Sequence, residues 1–190
     1  MSSTELHAPR PVRRFTVDEV ERMVEAGVIG EDEPIELLDG ELVIMSPQGP
    51  RHSTSATDLR DRLLLVYREG FVVREAKPLI AGKYHMPEPD LAVVRRRSAE
   101  FRERHPRGDE AVLVVELANT SQVIDRSKAR AYAQARVPVY WLVDLVAGPV
   151  EGGEDPHPDG RYPLGSVLSG DDELVLPGTG TRWRAAEVAA

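Results

Sequence analysis

Two apolar runs decide how this chain folds: Pro89-Asp90-Leu91-Ala92-Val93-Val94 and Val112-Leu113-Val114-Val115-Glu116-Leu117-Ala118, separated by residues 95–111. Both are short, aliphatic and rich in valine, so each reads as a buried strand. Two strands joined by one loop are most simply antiparallel neighbours, which sets the start of the first beside the end of the second. That register pairs Asp90 with Glu116, Ala92 with Val114 and Val94 with Val112. Directly opposed Cβ atoms in such a ladder stand about 4.5–5.5 Å apart. Two carboxylates that close repel one another unless one is protonated or a cation lies between them. A hard cation such as Mg²⁺, held by one or two carboxylates with waters kept for substrate, is the usual solution.

The segment after the second strand adds a cation of the protein's own. Ile124, Lys128, Ala131, Tyr132 and Ala135 fall on one stripe of a helix, a core-facing face with a lysine set into it. The short link from Ala118 to Ile124 returns the chain at the same end of the sheet, within reach of Glu116. An ammonium there could orient an attacking water and offset negative charge. The alternative is a buried structural ion pair between Lys128 and Glu116. Tyr132 and Trp141 read as core aromatics.

Working outward, Thr16 and Glu19 form a capping box that opens a helix to about Ala26, with Gly27 as its stop. Residues 35–45 read as a hairpin around Asp39-Gly40. Glu36, just ahead of that turn, either adds a third carboxylate or faces solvent. His52 opens a helix running to about Glu69, where it could shuttle a proton or contact phosphate. Phe71 to Arg74 and Pro78 to Ala81 read as short strands. Val139 to Asp144 forms another, with Asp144 placed to cap its turn. Residues 148–165 are rich in glycine and proline and read as loop or edge hairpin. A last strand around Leu174-Val175-Leu176 and a short helix close the chain.

Composition narrows the function classes. With 190 residues, we expect one domain over 15–190 behind a flexible N-terminal arm of residues 1–14. The absence of cysteine excludes disulfides and thiolate metal sites, so any metal is held by oxygen or imidazole. No run approaches the ~20 apolar residues of a membrane helix. No apolar leader stands at the start, so a cytoplasmic protein is expected. The net charge of −8 argues against strong nonspecific adhesion to nucleic acid, yet leaves room for a nuclease with clustered carboxylates. The densest basic run, Arg95, Arg96 and Arg97 with Arg102, Arg104 and Arg107, is either a solvated loop or a contact to the DNA backbone. Phosphate-cradling glycine loops, H-E-x-x-H and G-x-S-x-G are all absent.

Taken as an ordered set, several pieces resemble a known family. These are Ile35-Glu36-Leu37-Leu38-Asp39-Gly40-Glu41-Leu42, Met45-Ser46-Pro47, His52, Pro89-Asp90, Val115-Glu116, Asp125, Lys128, Tyr132 and Tyr140-Trp141-Leu142-Val143-Asp144. Together they look like the Uma-type restriction endonucleases of the PD-(D/E)XK superfamily, over about residues 15–147. The resemblance implies an α/β (α+β) restriction-endonuclease-like fold, a mixed central sheet flanked by helices. It also implies Mg²⁺-dependent cleavage of DNA, with Mn²⁺ as a substitute metal. Asp90 matches the Asp of the PD element and Glu116 the acid of the following strand. Ala118 stands where the superfamily has its lysine; in this family that lysine is thought to come from the next helix, which matches Lys128. Glu36 matches the N-terminal acid.

The reading is therefore a metal-dependent endodeoxyribonuclease. Asp90 and Glu116 hold the metal, Lys128 and Glu36 assist, and His52, Arg95, Arg96 and Arg97 touch substrate. A homodimer would suit cutting of both strands. Two competing readings are a non-catalytic nucleic-acid or protein-binding module on the same fold and a hydrolase of small phosphoesters.

Overall fold

The computed structural model describes residues 12–30, 32–96, 99–119, 122–157, 159–163 and 166–189, with the backbone alone for 122–127. The expected arm of residues 1–14 lies almost wholly outside the described residues. Helix α1 (Val17–Glu25) opens on the reciprocal cap: Glu19 N donates to Thr16 Oγ1 at 3.3 Å and Thr16 N to Glu19 Oε2 at 3.0 Å. It stops at Gly27, whose φ of 68° no other residue type adopts as cheaply. Strands β1 (Ile35–Leu38) and β2 (Glu41–Ile44) form the expected hairpin. Its turn has Asp39 and Gly40 at φ 51° and 79°, the left-handed pair that matches strand twist.

Helix α2 (Pro50–Val66) begins with proline at its first turn, where the missing N–H is not needed. It ends sooner than expected, because Tyr67 leaves helical geometry at ψ 82°. Next come β3 (Phe71–Glu75), β4 (Leu91–Arg95), β5 (Ala111–Ala118), helix α3 (Gln122–Gln134), β6 (Val139–Asp144), β7 (Val150–Glu154) and β8 (Ser166–Leu168). They build a six-stranded sheet in the order β3-β4-β5-β6-β7-β8. Only the β5–β6 pair is parallel, joined across α3, so the sheet is mixed as expected. Central β5 is buried along its whole length, which explains its unbroken aliphatic sequence. The chain ends in a second hairpin, β9 (Glu173–Val175) with β10 (Arg182–Arg184), and helix α4 (Ala185–Val188).

Strand alternation divides the core. Leu91, Val93, Leu113 and Val115 pack with Leu59 and Leu63 of α2 and with Leu174 and Val188. Ala92, Val94, Val114 and Ala118 face the other way, toward Ala131 and Tyr132 of α3. A third cluster joins Val17, Val20 and Ile29 to Leu37 of the β1–β2 hairpin.

Two expectations are corrected. Ala92 does oppose Val114, but Val94 opposes Ala111 rather than Val112, because the register shifts after Val93. Val112 is the extra residue, a bulge that turns it to the α2 side with Leu113. The bulge sits at the far end of the ladder and leaves the Asp90 end in step. Residues 78–81 are not a strand. Ile80 N bonds Pro106 O while Leu79 N and Ala81 N bond Pro87 O and His85 O, so the segment alternates between two partners and builds a ladder with neither.

Candidate active site

The β4–β5 ladder pairs Leu91 with Val115, so continuing it by one residue sets Asp90 opposite Glu116. Glu116 has the alternation of Val114 and Ala118, which points it to α3. From α3, Lys128 Nζ comes to 3.5 Å of Glu116 Oε1 and 2.9 Å of Glu36 Oε1. Tyr132, one turn later on the same helix, donates its hydroxyl to Glu116 Oε1 at 2.5 Å. All three acids and the lysine are withdrawn from water: Glu36 is 1%, Glu116 2%, Lys128 2% and Asp90 9% exposed. Of the expected α3 stripe, Lys128, Ala131 and Tyr132 are buried and Ala135 packs against the core at its edge. The side chains of Ile124 and Asp125 lie outside the described residues.

Glu36 corrects the solvent-facing alternative. Neighbouring strand residues point to opposite sides, and here both sides are covered. Leu37 enters the α1 cluster, while Glu36 meets Lys128 and accepts from Glu88 N at 2.9 Å. Burial raises the pKa of Glu36, against the pull of Lys128. Its second oxygen, Oε2, is buried without a hydrogen-bond partner.

Asp90 is held by three donors. Its Oδ2 accepts from Leu117 N at 2.7 Å and lies 3.1 Å from His52 Nε2; its Oδ1 accepts from Gln48 Nε2 at 3.1 Å. His52 thus meets Asp90 from the first turn of α2. Gln48, in the loop before that helix, has no feature in the sequence that marks it. Tyr132 was legible only as a core aromatic. The signal for its second role was its i+4 spacing from Lys128, since a buried phenol needs a partner for its O–H.

Burial drives the Glu116 pKa up to about 8; Lys128 opposes the rise, and the charges of Asp90 and Glu36 add to it. Burial and the nearby Glu116 charge also raise Tyr132. Among the described residues, no three His, Asp or Glu side chains converge on one point as a preformed metal cage. The residues nonetheless fit a hard divalent cation. Mg²⁺ is usually held by one or two carboxylates and water rather than by a closed cage. Burial and the charges of Asp90 and Glu36 disfavour ionised Glu116, a cost that a bound cation would offset, and Glu36 Oε2 has an acceptor site with no donor. Asp90 and Glu116 are the residues that could hold such an ion.

The arginines expected at the substrate are not brought to this end of the sheet. Arg95 closes β4, about 17 Å along the strand from Asp90 at about 3.4 Å per residue. It donates to Asp109 O, and Arg96 donates to Phe71 O. Arg104 is taken up by Glu100 and Glu110. Arg97 lies outside the described residues. Asp144 does cap its turn, accepting from Val146 N and Ala147 N at 2.8 Å.

Comparison with known proteins accords with this architecture. The model of the family Uma2, described as "Putative restriction endonuclease", matches residues 17–187. A crystal structure from Anabaena variabilis, titled a "putative nuclease belonging to DUF820", superposes with a TM-score of 0.69 at 17% identity. The match covers 94% of this chain and 98% of that one. No curated protein matches the chain.

Proposed function

This chain belongs to the Uma2 family, and from that membership we propose that it is a metal-dependent nuclease that hydrolyses DNA phosphodiester bonds. The observation that carries the reading is the meeting of Asp90, Glu116 and Lys128 at one end of the sheet, from two strands and a helix, with Glu36 beneath the lysine. A structural ion pair needs one acid and one base. Here Lys128 meets two buried acids, Glu36 and Glu116, and the charge of Asp90 acts on both, an excess of carboxyl groups that a stabilising pair does not require.

Asp90 and Glu116 hold the cation, Mg²⁺ or Mn²⁺. Once bound, such an ion supplies Lewis-acid polarisation of the scissile phosphate and a readily deprotonated water. The chain's own residues do the positioning. Gln48, His52 and Leu117 N–H fix the Asp90 carboxylate. Tyr132 fixes that of Glu116. Lys128, anchored by Glu36, holds an ammonium where it orients the attacking water and offsets charge gathering on the phosphoryl oxygens. Residues 15–190 work as one cytoplasmic domain, and as a homodimer where both strands are cut. Among the described residues no helix is long and apolar enough to cross a membrane.

The decisive assay incubates purified protein with supercoiled, linear duplex and single-stranded DNA, with Mg²⁺ or Mn²⁺, beside Asp90→Ala and Lys128→Ala. Metal-dependent cutting that both variants lose is expected. Cutting that survives Lys128→Ala removes the lysine from the mechanism. If the folded wild type leaves every substrate intact, the binding-module reading takes its place, and Mg²⁺ calorimetry then asks whether Asp90 binds metal at all.

A further inference from the structure

Arg74 is the one arginine among the described residues that is not exposed and yet has no carboxylate or carbonyl to bind. The partly buried Arg60, Arg62 and Arg104 all donate to oxygen atoms of the chain. The remaining arginines without side-chain partners, such as Arg51 and Arg102, stand in water. Burial alone lowers the pKa of Arg74, and no acid offsets the cost. The titratable group on which its charge acts is another base. His105, half-buried in the loop between β4 and β5, is depressed first by its own burial and then by the Arg74 charge. A partly desolvated arginine without a counter-ion, with a second base in its field, is an unusual arrangement in a chain with 32 acidic residues and a net charge of −8.

The position of the pair indicates what would complete it. Arg74 opposes Ala92 in the β3–β4 ladder, so it emerges on the α3 face with Val72 and Ala92, the face to which Glu116 points. Asp90, one residue before β4, is its diagonal neighbour, a position about 7–8 Å from Arg74 with the Cβ atoms somewhat closer. The following turn ties the two segments, since Ala76 N donates to Asp90 O at 3.1 Å. Strand β3 is also an edge of the sheet, so a long polyanion can approach it from outside. A guanidinium offers a planar fork of donors matched to phosphate oxygens.

We infer that Arg74 and His105 form a phosphate-binding pair that grips the DNA backbone beside the phosphodiester held at Asp90 and Glu116, with Arg74 the principal contact. This rests on the nuclease reading for the identity of the polyanion. The pair takes the place that the run at Arg95 and Arg96 leaves vacant, because those side chains are bound to main-chain carbonyls at the far end of β4. It contributes affinity without sequence preference, as backbone contacts do.

The test is binding of a fluorescein-labelled DNA duplex, followed by anisotropy over a range of salt concentrations without divalent metal, so that cutting does not intrude. Each lost phosphate contact reduces the slope of log affinity against log salt by about 0.9. Arg74→Gln should lower the slope by about that amount and weaken binding several-fold on any sequence. Arg74→Lys, which keeps the charge, should restore most of the slope, and His105→Gln should have a smaller effect in the same direction. Thermal melts of all variants separate lost contact from lost fold. If Arg74→Gln melts like the wild type and binds DNA with an unchanged slope, or if the wild type binds no DNA, the inference is overturned. Metal-dependent cutting is measured in parallel on the same preparations. Cutting with an unchanged Arg74→Gln slope rejects the phosphate pair alone, whereas a lost unit of slope without any cutting keeps the pair and rejects the nuclease reading.

Discussion

The Lys128 ammonium lies 2.9 Å from Oε1 of Glu36, although 92 residues separate them in the chain. Both groups are buried, and Lys128 also lies 3.5 Å from Glu116 Oε1. Replacing it with Met leaves Glu36 buried without its counter-charge and removes the cation that favours ionised Glu116. Loss of one partner from a buried pair costs about 3–5 kcal/mol, or about 6–20 °C in Tm for a chain of this size. Lys128→Met should therefore melt far earlier than the wild type. The Lys128→Met, Glu36→Gln double variant should recover part of that loss, because the charge left unpaired is then removed. Denaturant and thermal melts of the four proteins check this, and additive losses would argue against direct coupling.

Tyr132 and Glu116 share a short hydrogen bond at the base of the site. Tyr132→Phe keeps the ring in the core and deletes the donor, which should cost about 0.5–1.5 kcal/mol. The same bond lowers the Glu116 pKa, so its removal should move that titration upward. Carboxyl resonances followed by NMR against pH would show the move. A stationary titration would mean that the phenol does not hold the acid.

The Glu116 titration also makes stability depend on pH. Its folded pKa of about 8 lies above the ordinary carboxyl value of 4.5, chiefly because burial disfavours the charged form. The folded state then binds more protons than the unfolded state between those two values. The contribution is full below about 4.5 and is lost as pH rises toward 8. Glu36, raised by the same cause, works in the same direction. Metal-free protein should lose stability from pH 5 to 8, and Glu116→Gln should flatten that fall. A denaturation series that rises with pH in both proteins would contradict the assignment. Divalent metal, which needs the deprotonated acid, should bind more tightly as pH rises through the same window.

His52 and Gln48 orient Asp90 and make no call on the hydrophobic core. Partners that orient a metal-binding carboxylate are typically worth 10–100-fold in metal affinity. His52→Ala and Gln48→Ala should therefore weaken Mg²⁺ or Mn²⁺ binding by that order in calorimetry, with little change in melting temperature. Wild-type metal affinity in both variants would remove them from the site.

Gly108 sits against the end of the helix that carries Lys128. A Cβ there would lie 2.4 Å from the Ala135 Cβ and 2.7 Å from the Ala135 carbonyl oxygen. Gly108 N also bonds Ile80 O, so the segment has little freedom to retreat. Gly108→Ala should cost about 1–3 kcal/mol as overpacking, seen as a lower denaturant midpoint. An unchanged midpoint would show that α3 gives way freely.

Several features were fixed by local chemistry and could be read from the chain. The Thr16–Glu19 cap, the Asp39-Gly40 hairpin and the two central strands each depend on residues a few positions apart. The pairing of Asp90 with Glu116 followed from strand period and one loop. The Lys128 stripe followed from helical period, which also aligned Tyr132.

Other features became visible only when distant segments met. No period reveals a bulge at Val112, since an apolar residue suits either face of a buried strand. Glu36 could be solvent-facing or buried by its sequence alone, because only the covering of the hairpin by α1 and α3 excludes water. Gln48 gained a role through a loop that happens to end beside Asp90. The arginines at 95 and 96 look like ligands for phosphate in one dimension, but the length of β4 carries them to the other end of the sheet. Periodicity fixes which side a residue faces and along which element. Whether that side is water, core or a neighbouring charge is a property of the packed chain, and there the tertiary structure decided.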